Sequence, residues 1–249
     1  MTYCVGMQLD RGIVFMSDTR TNAGVDNIST FRKMAHFEAP GERCITLMTA
    51  GNLATTQAVV SLLQERSKSP EQRSPDIEHL PTMFQVAQLV GQTLREVIAR
   101  HDGDGGQKAS SAFNATILLG GQIKGGAPRL FLIYPEGNFI EASDDTPYFQ
   151  IGETKYGRPI LVRAYDPAMS FEEAMKLLLV SFDSTIKANL SVALPLDFHI
   201  YDADSLKLGR TGRIHAEDAY FQEISSGWGV ALREAFTNLP DFRFPEQQD

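Results

Sequence analysis

Thr2, Asp18 and Lys33 are the residues of this chain whose types and spacing could do chemistry together. When Met1 is removed, Thr2 becomes the first residue, and its hydroxyl shares one carbon framework with a free α-amine. A hydroxyl alone is a poor nucleophile. A neighbouring base that accepts its proton activates it, and an N-terminal amine is such a base for threonine. The unperturbed α-amine titrates at roughly 7.7–8.0, near the pH at which a general base works best. One residue would then carry both nucleophile and base. A lysine set between a carboxylate and that hydroxyl supplies positive charge that lowers the cost of forming an alkoxide. A Met-Thr start by itself is the ordinary beginning of an ordinary strand, so its weight comes from the residues around it.

Those residues predict how the three are brought together. Tyr3–Leu9 and Ile13–Met16 are short apolar runs flanking Asp10-Arg11-Gly12, a turn-forming group. They read as a β-hairpin whose first strand begins at the terminus. A hairpin returns the end of its second strand, Ser17-Asp18-Thr19-Arg20, to the start of the first, which places Asp18 near Thr2. Lys33 follows a loop over Thr19–Thr30 that contains Gly24 and is expected to return to the same place. Met34–Glu38 and Arg43–Thr49 form a second strand pair through Ala39-Pro40-Gly41-Glu42. Ala50-Gly51-Asn52 then leads into a helix over Leu53–Ser67, with Asn52 as N-cap. That helix start aims backbone N–H groups at the cleft. The Gly51 N–H is placed to stabilise the oxyanion of a tetrahedral intermediate, and a glycine there allows close approach.

The order Thr2, Gly12-Ile13-Val14-Phe15-Met16-Ser17-Asp18-Thr19-Arg20, Ala23-Gly24, Lys33 and Thr49-Ala50-Gly51 resembles the proteasome β-subunit family of N-terminal-nucleophile hydrolases. The match is specific as far as the start of the first helix and general beyond it. The opening Thr-Tyr-Cys-Val-Gly and the long acidic C-terminal part look most like the bacterial ancestral-type β-subunits of that family. The resemblance implies an α+β fold, a four-layer αββα sandwich, with Thr2 as nucleophile and its amine as base. Asp18 would orient Lys33, and Gly51 would hold the oxyanion. An extended substrate would pair with the backbone at Arg20, Thr21 and Asn22 by strand addition, and Phe31 and Thr49 would line the pocket for its side chain. The substrate would be a peptide or unfolded protein, cut inside a homo-oligomeric ring or open spiral, without a cofactor. An ATPase unfoldase is an open partner. Many members must cut away a propeptide, whereas here only Met1 needs to go, and a small second residue suits ordinary methionine processing.

Two elements depart from the family. Its members usually brace the nucleophile with a Gly-Ser-Gly turn and an Asp-x-x-Ser-Gly element. Here Gly152-Glu153-Thr154 stands in the first place. Asp183-Ser184-Thr185 followed by Asn189-Leu190-Ser191 stands in the second, with Ala188 where the Asp falls when Ser191 is aligned. Asp18 to Lys33 is also one residue shorter than usual. The residues that touch substrate are kept while their supports change, so a low rate is expected. Two alternatives follow: a weakly active or non-proteolytic scaffold of the same fold, or an N-terminal-nucleophile amidohydrolase acting on small amides.

Composition narrows the function classes further. The 249 residues are 43% hydrophobic and 22% charged, ordinary for a soluble globular chain long enough to bury most of its apolar surface in one core. They are expected to form one domain with a polar tail from about Pro240 to Asp249. A net charge of −8 argues against a nucleic-acid footprint and against attraction to anionic membranes. No apolar run approaches the ~20 residues of a membrane span, and no basic-then-apolar leader opens the chain, so a cytoplasmic location is expected. The two cysteines, Cys4 and Cys44, fall in strand patterns and read as buried thiols. The histidines are scattered, so no structural metal is expected.

The remaining chain supplies layers. Lys68–Pro81, with three prolines, reads as a surface loop, and Thr82–His101 as an amphipathic helix. The segment from Asp102 to Ser111 reads as a connector rather than a Ca²⁺ site built on Asp102 and Asp104. Phe113–Gly121, Arg129–Tyr134 and Phe139–Ala142 form a meander, with a Gly-rich turn at Gly120–Pro128. Tyr148–Gly152 is a short strand, and a small helix begins between Glu153 and Val162. Ser170-Phe171-Glu172-Glu173 is a capping box before another helix. Asp197–Tyr201 and Leu206–Leu208 make a last hairpin, and Glu217–Phe236 a final helix. Strands and helices come in blocks without β-α-β-α alternation, which favours sheets held between helical layers.

Overall fold

The computed structural model describes residues 2–22, 28–68, 75–101 and 112–244. The opening hairpin forms as its pattern predicts: β1 (Tyr3–Leu9) pairs antiparallel with β2 (Gly12–Asp18), Cys4 opposite Ser17. The Thr19–Thr30 stretch is more regular than the expected loop. Arg20–Asn22 (β3) and Ile28–Thr30 (β4) pair as a small separate ribbon, while Ala23, Gly24, Asp26 and Asn27 lie outside the described residues. The chain then runs through β5 (Met34–Ala39), β6 (Arg43–Gly51), α1 (Leu53–Lys68), α2 (Met83–His101), β7 (Ala115–Ile123), β8 (Arg129–Ile133), β9 (Phe139–Glu141) and β10 (Tyr148–Gly152). It continues with α3 (Arg158–Ala164), α4 (Phe171–Ala188), β11 (Leu196–Asp202), β12 (Arg210–Ile214) and α5 (Ala219–Thr237).

Two five-stranded antiparallel sheets result, in the orders β10-β1-β2-β11-β12 and β5-β6-β7-β8-β9. The alternation of side chains along each strand builds three cores. Ile45, Leu47, Ile117 and Leu119 face α1 and α2. Tyr3, Val5, Met7, Val14 and Met16 face α3, α4 and α5. Cys4, Ile13, Phe15, Met48 and Leu118 fill the space between the sheets. The architecture is the four-layer αββα sandwich, and both cysteines are buried within it as free thiols. The capping box of α4 is present, with Ser170 and Glu173 bonding each other's backbone.

Three segments differ from their sequence patterns. Gly120 and Gly121, which the sequence offered both to the end of the strand and to the start of the Gly-rich turn, lie within β7, which runs on to Ile123. A Cβ on Gly120 would meet the Phe15 ring at 2.8 Å, and one on Gly121 would lie 2.1 Å from the Cys44 carbonyl oxygen. Their glycines serve close approach of strand to sheet. Ile77 and Asp76 sit in the span expected to be a surface loop, yet both are buried, Ile77 in the core under α1 and α2. Finally, the strand expected at Leu206–Leu208 is a loop that crosses between the sheets: Leu206 has φ +46°, and the Leu208 N–H donates to Glu38 Oε1 at 2.6 Å. The pairing strand is β12 instead.

Between the sheets also runs a polar chain. Gly209 N–H donates to His199 Nε2 at 3.3 Å, which leaves Nδ1 to donate to Thr46 Oγ1 at 2.8 Å; the Thr46 hydroxyl then donates to His36 Nδ1 at 3.0 Å. Burial pushes the His199 imidazole down to about 3, with His36 acting in the same direction. Among the described residues no helix is long and apolar enough to cross a membrane. Asp102 and Asp104 lie outside the described residues. The second half of α5 and the chain beyond it are exposed, including Phe236, Leu239, Phe242 and Phe244.

Candidate active site

Thr2 precedes β1 and is held by its backbone from two sides. Its carbonyl accepts the Glu153 N–H at 2.6 Å, and the next N–H, that of Tyr3, donates to Asp18 Oδ1 at 2.9 Å. Asp18 closes β2 and comes to Thr2 because β1 and β2 pair in register. The same Oδ1 accepts Lys33 Nζ at 2.7 Å. The ammonium also donates to the Arg20 carbonyl at 2.6 Å, and Thr49 N–H secures the Lys33 carbonyl at 2.9 Å. One carboxylate oxygen thus gathers the peptide that follows Thr2 and the lysine ammonium.

All three residues are buried, Asp18 completely. Burial pushes the Asp18 carboxyl above its ordinary range, opposed chiefly by the adjacent Lys33 ammonium and then by the Tyr3 N–H. Asp18 Oδ2 has no hydrogen-bond partner among the described residues. Cys4, whose Sγ donates weakly to the Thr49 carbonyl at 3.8 Å, has its thiol driven far up by burial and stays protonated.

A cleft of about 1280 Å³ opens beside Thr2. Thr21, Lys33, Thr49, Gly51 and Gly152 line it with Thr2, and Gln57, Ser61 and Gln64 of α1 form its long polar wall. Gly51 has φ +118°, and a Cβ there would lie 2.4 Å from the Asn114 carbonyl oxygen, so only glycine fits. Thr49 N–H points to the β5 side and Asn52 N–H to the β7 side. Ladder alternation therefore turns the Gly51 N–H to the β5 side, at the level where β5 has not yet begun. Asn52 Oδ1 caps α1 by accepting Thr55 N–H at 3.1 Å. Two residues expected at the substrate do not line the cleft. The Arg20 side chain turns away to the Leu190 carbonyl at 2.8 Å, its contribution being the carbonyl that holds Lys33. Phe31 is bonded through its N–H to the Thr19 carbonyl at 2.9 Å. Asn22 pairs with Ile28 through its backbone.

A family model described as proteasome subunit matches residues 2–192. The chain belongs to the proteasome subunit family. It is similar to the structure of Anbu (ancestral β-subunit) from Yersinia bercovieri, with 51% identity and a TM-score of 0.91 over 98% of this chain and 100% of that one. It is also similar to an Anbu (Gly-1) mutant from Hyphomicrobium sp. strain MC1, with 49% identity and a TM-score of 0.90 over 98% and 100%. A structure titled as the helical assembly of the Anbu complex from Pseudomonas aeruginosa matches at 46% identity and a TM-score of 0.90 over the whole of both chains. No curated protein matches the chain.

The supports of this proteasome-type subunit lie where the sequence showed departures. Gly152 has φ +83°, and a Cβ there would sit 1.9 Å from the Thr2 carbonyl oxygen. Glu153 Oε2 accepts Asn189 Nδ2 at 2.9 Å, and Asn189 Oδ1 accepts Ser191 N–H at 2.9 Å. Asp183, Ser184 and Thr185 serve α4 itself: Asp183 pairs with Lys187 at 3.0 Å, and the two hydroxyls bond carbonyls one turn back. A further anchor is Tyr3, whose hydroxyl is shared with Ser181 Oγ at 2.8 Å and Gln150 Nε2 at 2.6 Å. Gly152 and Glu153 were visible in the sequence only as a departure from Gly-Ser-Gly. The Asn189 and Ser181 contacts had no motif to announce them.

Proposed function

We propose that the protein is a threonine-type peptidase subunit that works from Thr2 once Met1 is released. The observation that carries this is the shared oxygen: Asp18 Oδ1 binds both the Tyr3 N–H and the Lys33 ammonium. The Thr2 hydroxyl oxygen attacks the peptide carbonyl carbon while its proton passes to the Thr2 amine, directly or through a water. Lys33 stabilises the developing alkoxide, Asp18 aims Lys33, and the Gly51 N–H receives the oxyanion. Collapse breaks the C–N bond, the leaving amine takes the proton from the Thr2 amine, and water hydrolyses the resulting ester. An extended peptide lies along Thr21, with its side chain directed toward Thr49.

The subunit acts within a homo-oligomer. The family, the helical assembly of the Pseudomonas aeruginosa relative, and the exposed Phe236, Leu239, Phe242 and Phe244 support this. The test is intact-mass analysis of purified protein treated with a threonine-directed electrophile. A mass lacking Met1 and carrying one adduct, lost in Thr2→Ala together with peptide hydrolysis, is expected. Retained Met1, or unchanged hydrolysis in Thr2→Ala, would refute the assignment.

A further inference from the structure

The polar chain between the sheets ends at the cleft. His36 is its last link, and Nδ1 of that ring accepts the Thr46 hydroxyl at 3.0 Å. The direction of this bond is set from the far end. The Gly209 N–H can only donate, so His199 Nε2 accepts it and His199 Nδ1 carries the proton given to Thr46 Oγ1. Stacking on Phe15, with 5.6 Å between centroids and 6° between planes, holds the His199 ring in place. The His36 ring meets it edge-on at 4.9 Å. Burial, and after it the charge of Arg32, keeps the His36 imidazole below its ordinary range, so the ring is neutral. A neutral ring that accepts at Nδ1 carries its proton on Nε2. That N–H has no hydrogen-bond partner among the described residues, and His36 lines the cleft.

Arg32 lines the same cleft and is exposed. Lys33 next to it is bound to Asp18 at 2.7 Å, whereas Arg32 makes no ion pair and no hydrogen bond among the described residues. On the α1 wall, Gln57, Ser61 and Gln64 are exposed and share one helix face. Among the described residues no aspartate or glutamate lines the cleft, although the chain as a whole carries −8. Two carboxylates lie close enough to act on His36, Asp197 and Glu38, and neither lines the cleft. Asp197 is held by Arg213 through bonds of 2.6 and 2.8 Å, and Glu38 Oε1 accepts the Leu208 N–H at 2.6 Å. The cleft therefore offers a cation and donors without a carboxylate of its own to engage them.

We propose that Arg32 and the Nε2–H of His36 form a subsite that selects peptides bearing a side-chain carboxylate. The guanidinium supplies the charge, and the imidazole supplies a neutral donor of fixed direction. Glutamine has the shape of glutamate but brings N–H groups toward these donors and cancels no charge. The inference names a substrate class for the peptidase site and rests on that reading of the cleft. An ion pair that stays partly in water contributes little, so the preference for glutamate over glutamine is about fivefold.

The experiment reads binding, so it does not depend on hydrolysis. Thr2→Ala protein is titrated against short peptides that carry a neutral dye and an amidated C-terminus. Members of each pair differ only in glutamate or glutamine at one position, which is moved along the peptide, and fluorescence anisotropy gives Kd. At one position glutamate should bind about fivefold tighter. In the same background Arg32→Gln should abolish that preference and Arg32→Lys keep part of it. His36→Phe, which keeps a ring without the donor, should reduce it about twofold. Equal or unmeasurable Kd values for every pair, a preference unchanged in Arg32→Gln or in His36→Phe, or a free C-terminus that replaces the side-chain carboxylate without loss would overturn the proposal. Glutamate-selective binding by a protein whose wild type cuts no peptide would defeat the peptidase assignment and uphold the subsite; hydrolysis without glutamate preference would do the reverse.

Discussion

Lys33→Met isolates what the buried ion pair contributes. Asp18 has no exposed surface, and the Lys33 side chain is 5% exposed. Burial already pushes the Asp18 carboxyl upward with the ammonium in place. Methionine fills a similar volume without the charge, leaving one Tyr3 N–H on Oδ1 and nothing on Oδ2. An uncompensated buried charge costs about 3–5 kcal/mol. The cost must depend on pH. In the variant the folded carboxyl titrates well above its unfolded value of about 3.9, so the protonated form stabilises the fold. The deficit relative to wild type is full near pH 7 and closes as pH falls toward 4. Asp18→Asn in the Lys33→Met background removes the charge while keeping an oxygen for Tyr3 N–H, and should recover most of the loss. Urea unfolding followed by circular dichroism, at one protein concentration and several pH values, measures this. A loss below about 1 kcal/mol at pH 7, or one that stays constant with pH, would refute the reasoning.

Gly152→Ala places a Cβ 1.9 Å from the Thr2 carbonyl oxygen at φ +83°; peptide hydrolysis should fall about a hundredfold for a stability loss of about 1–3 kcal/mol, read by kcat/KM and by urea midpoint. His199 stays neutral in the fold down to about 3, while the unfolded imidazole binds its proton near 6.5. Stability attributable to it is whole above pH 6.5 and falls by roughly 1.4 kcal/mol per pH unit below that; His199→Gln should flatten the slope of unfolding free energy between pH 6.5 and 4.5. Ile77→Ala should cost about 2–5 kcal/mol despite its place between two helices, and a change under about 1 kcal/mol would show that the segment does not belong to the core.

The opening of the chain could be read closely because its contacts are local. Once Asp10-Arg11-Gly12 makes a tight turn, the register of β1 with β2 places Asp18 beside Thr2 with no further information. Lys33 could be placed only as the far end of a loop containing Gly24 that returns to the site, with family likeness added to it, since β3 and β4 intervene. The places of the supports were legible as departures from the family's bracing elements, but their pairing was not: Glu153 and Asn189 meet from separate elements, and neither residue type marks a brace. Glycine also misled, because Gly120 and Gly121 give the same signal for a turn as for a strand that must pass close to a ring or a carbonyl. At the last hairpin, Leu206 and Leu208 copied an apolar alternation, while the true edge strand, Arg210–Ile214, is polar except at its end.

Chain ends ordinarily fray, because nothing beyond them shares the work of holding them still. Here the second residue has its carbonyl and the following amide engaged by opposite neighbours, Glu153 and Asp18. Its loss of conformational entropy is settled when the sandwich folds and is not repeated at each encounter with a ligand. Residue 2 therefore behaves as a preorganised interior position, one that the proposed release of Met1 would leave carrying an amine.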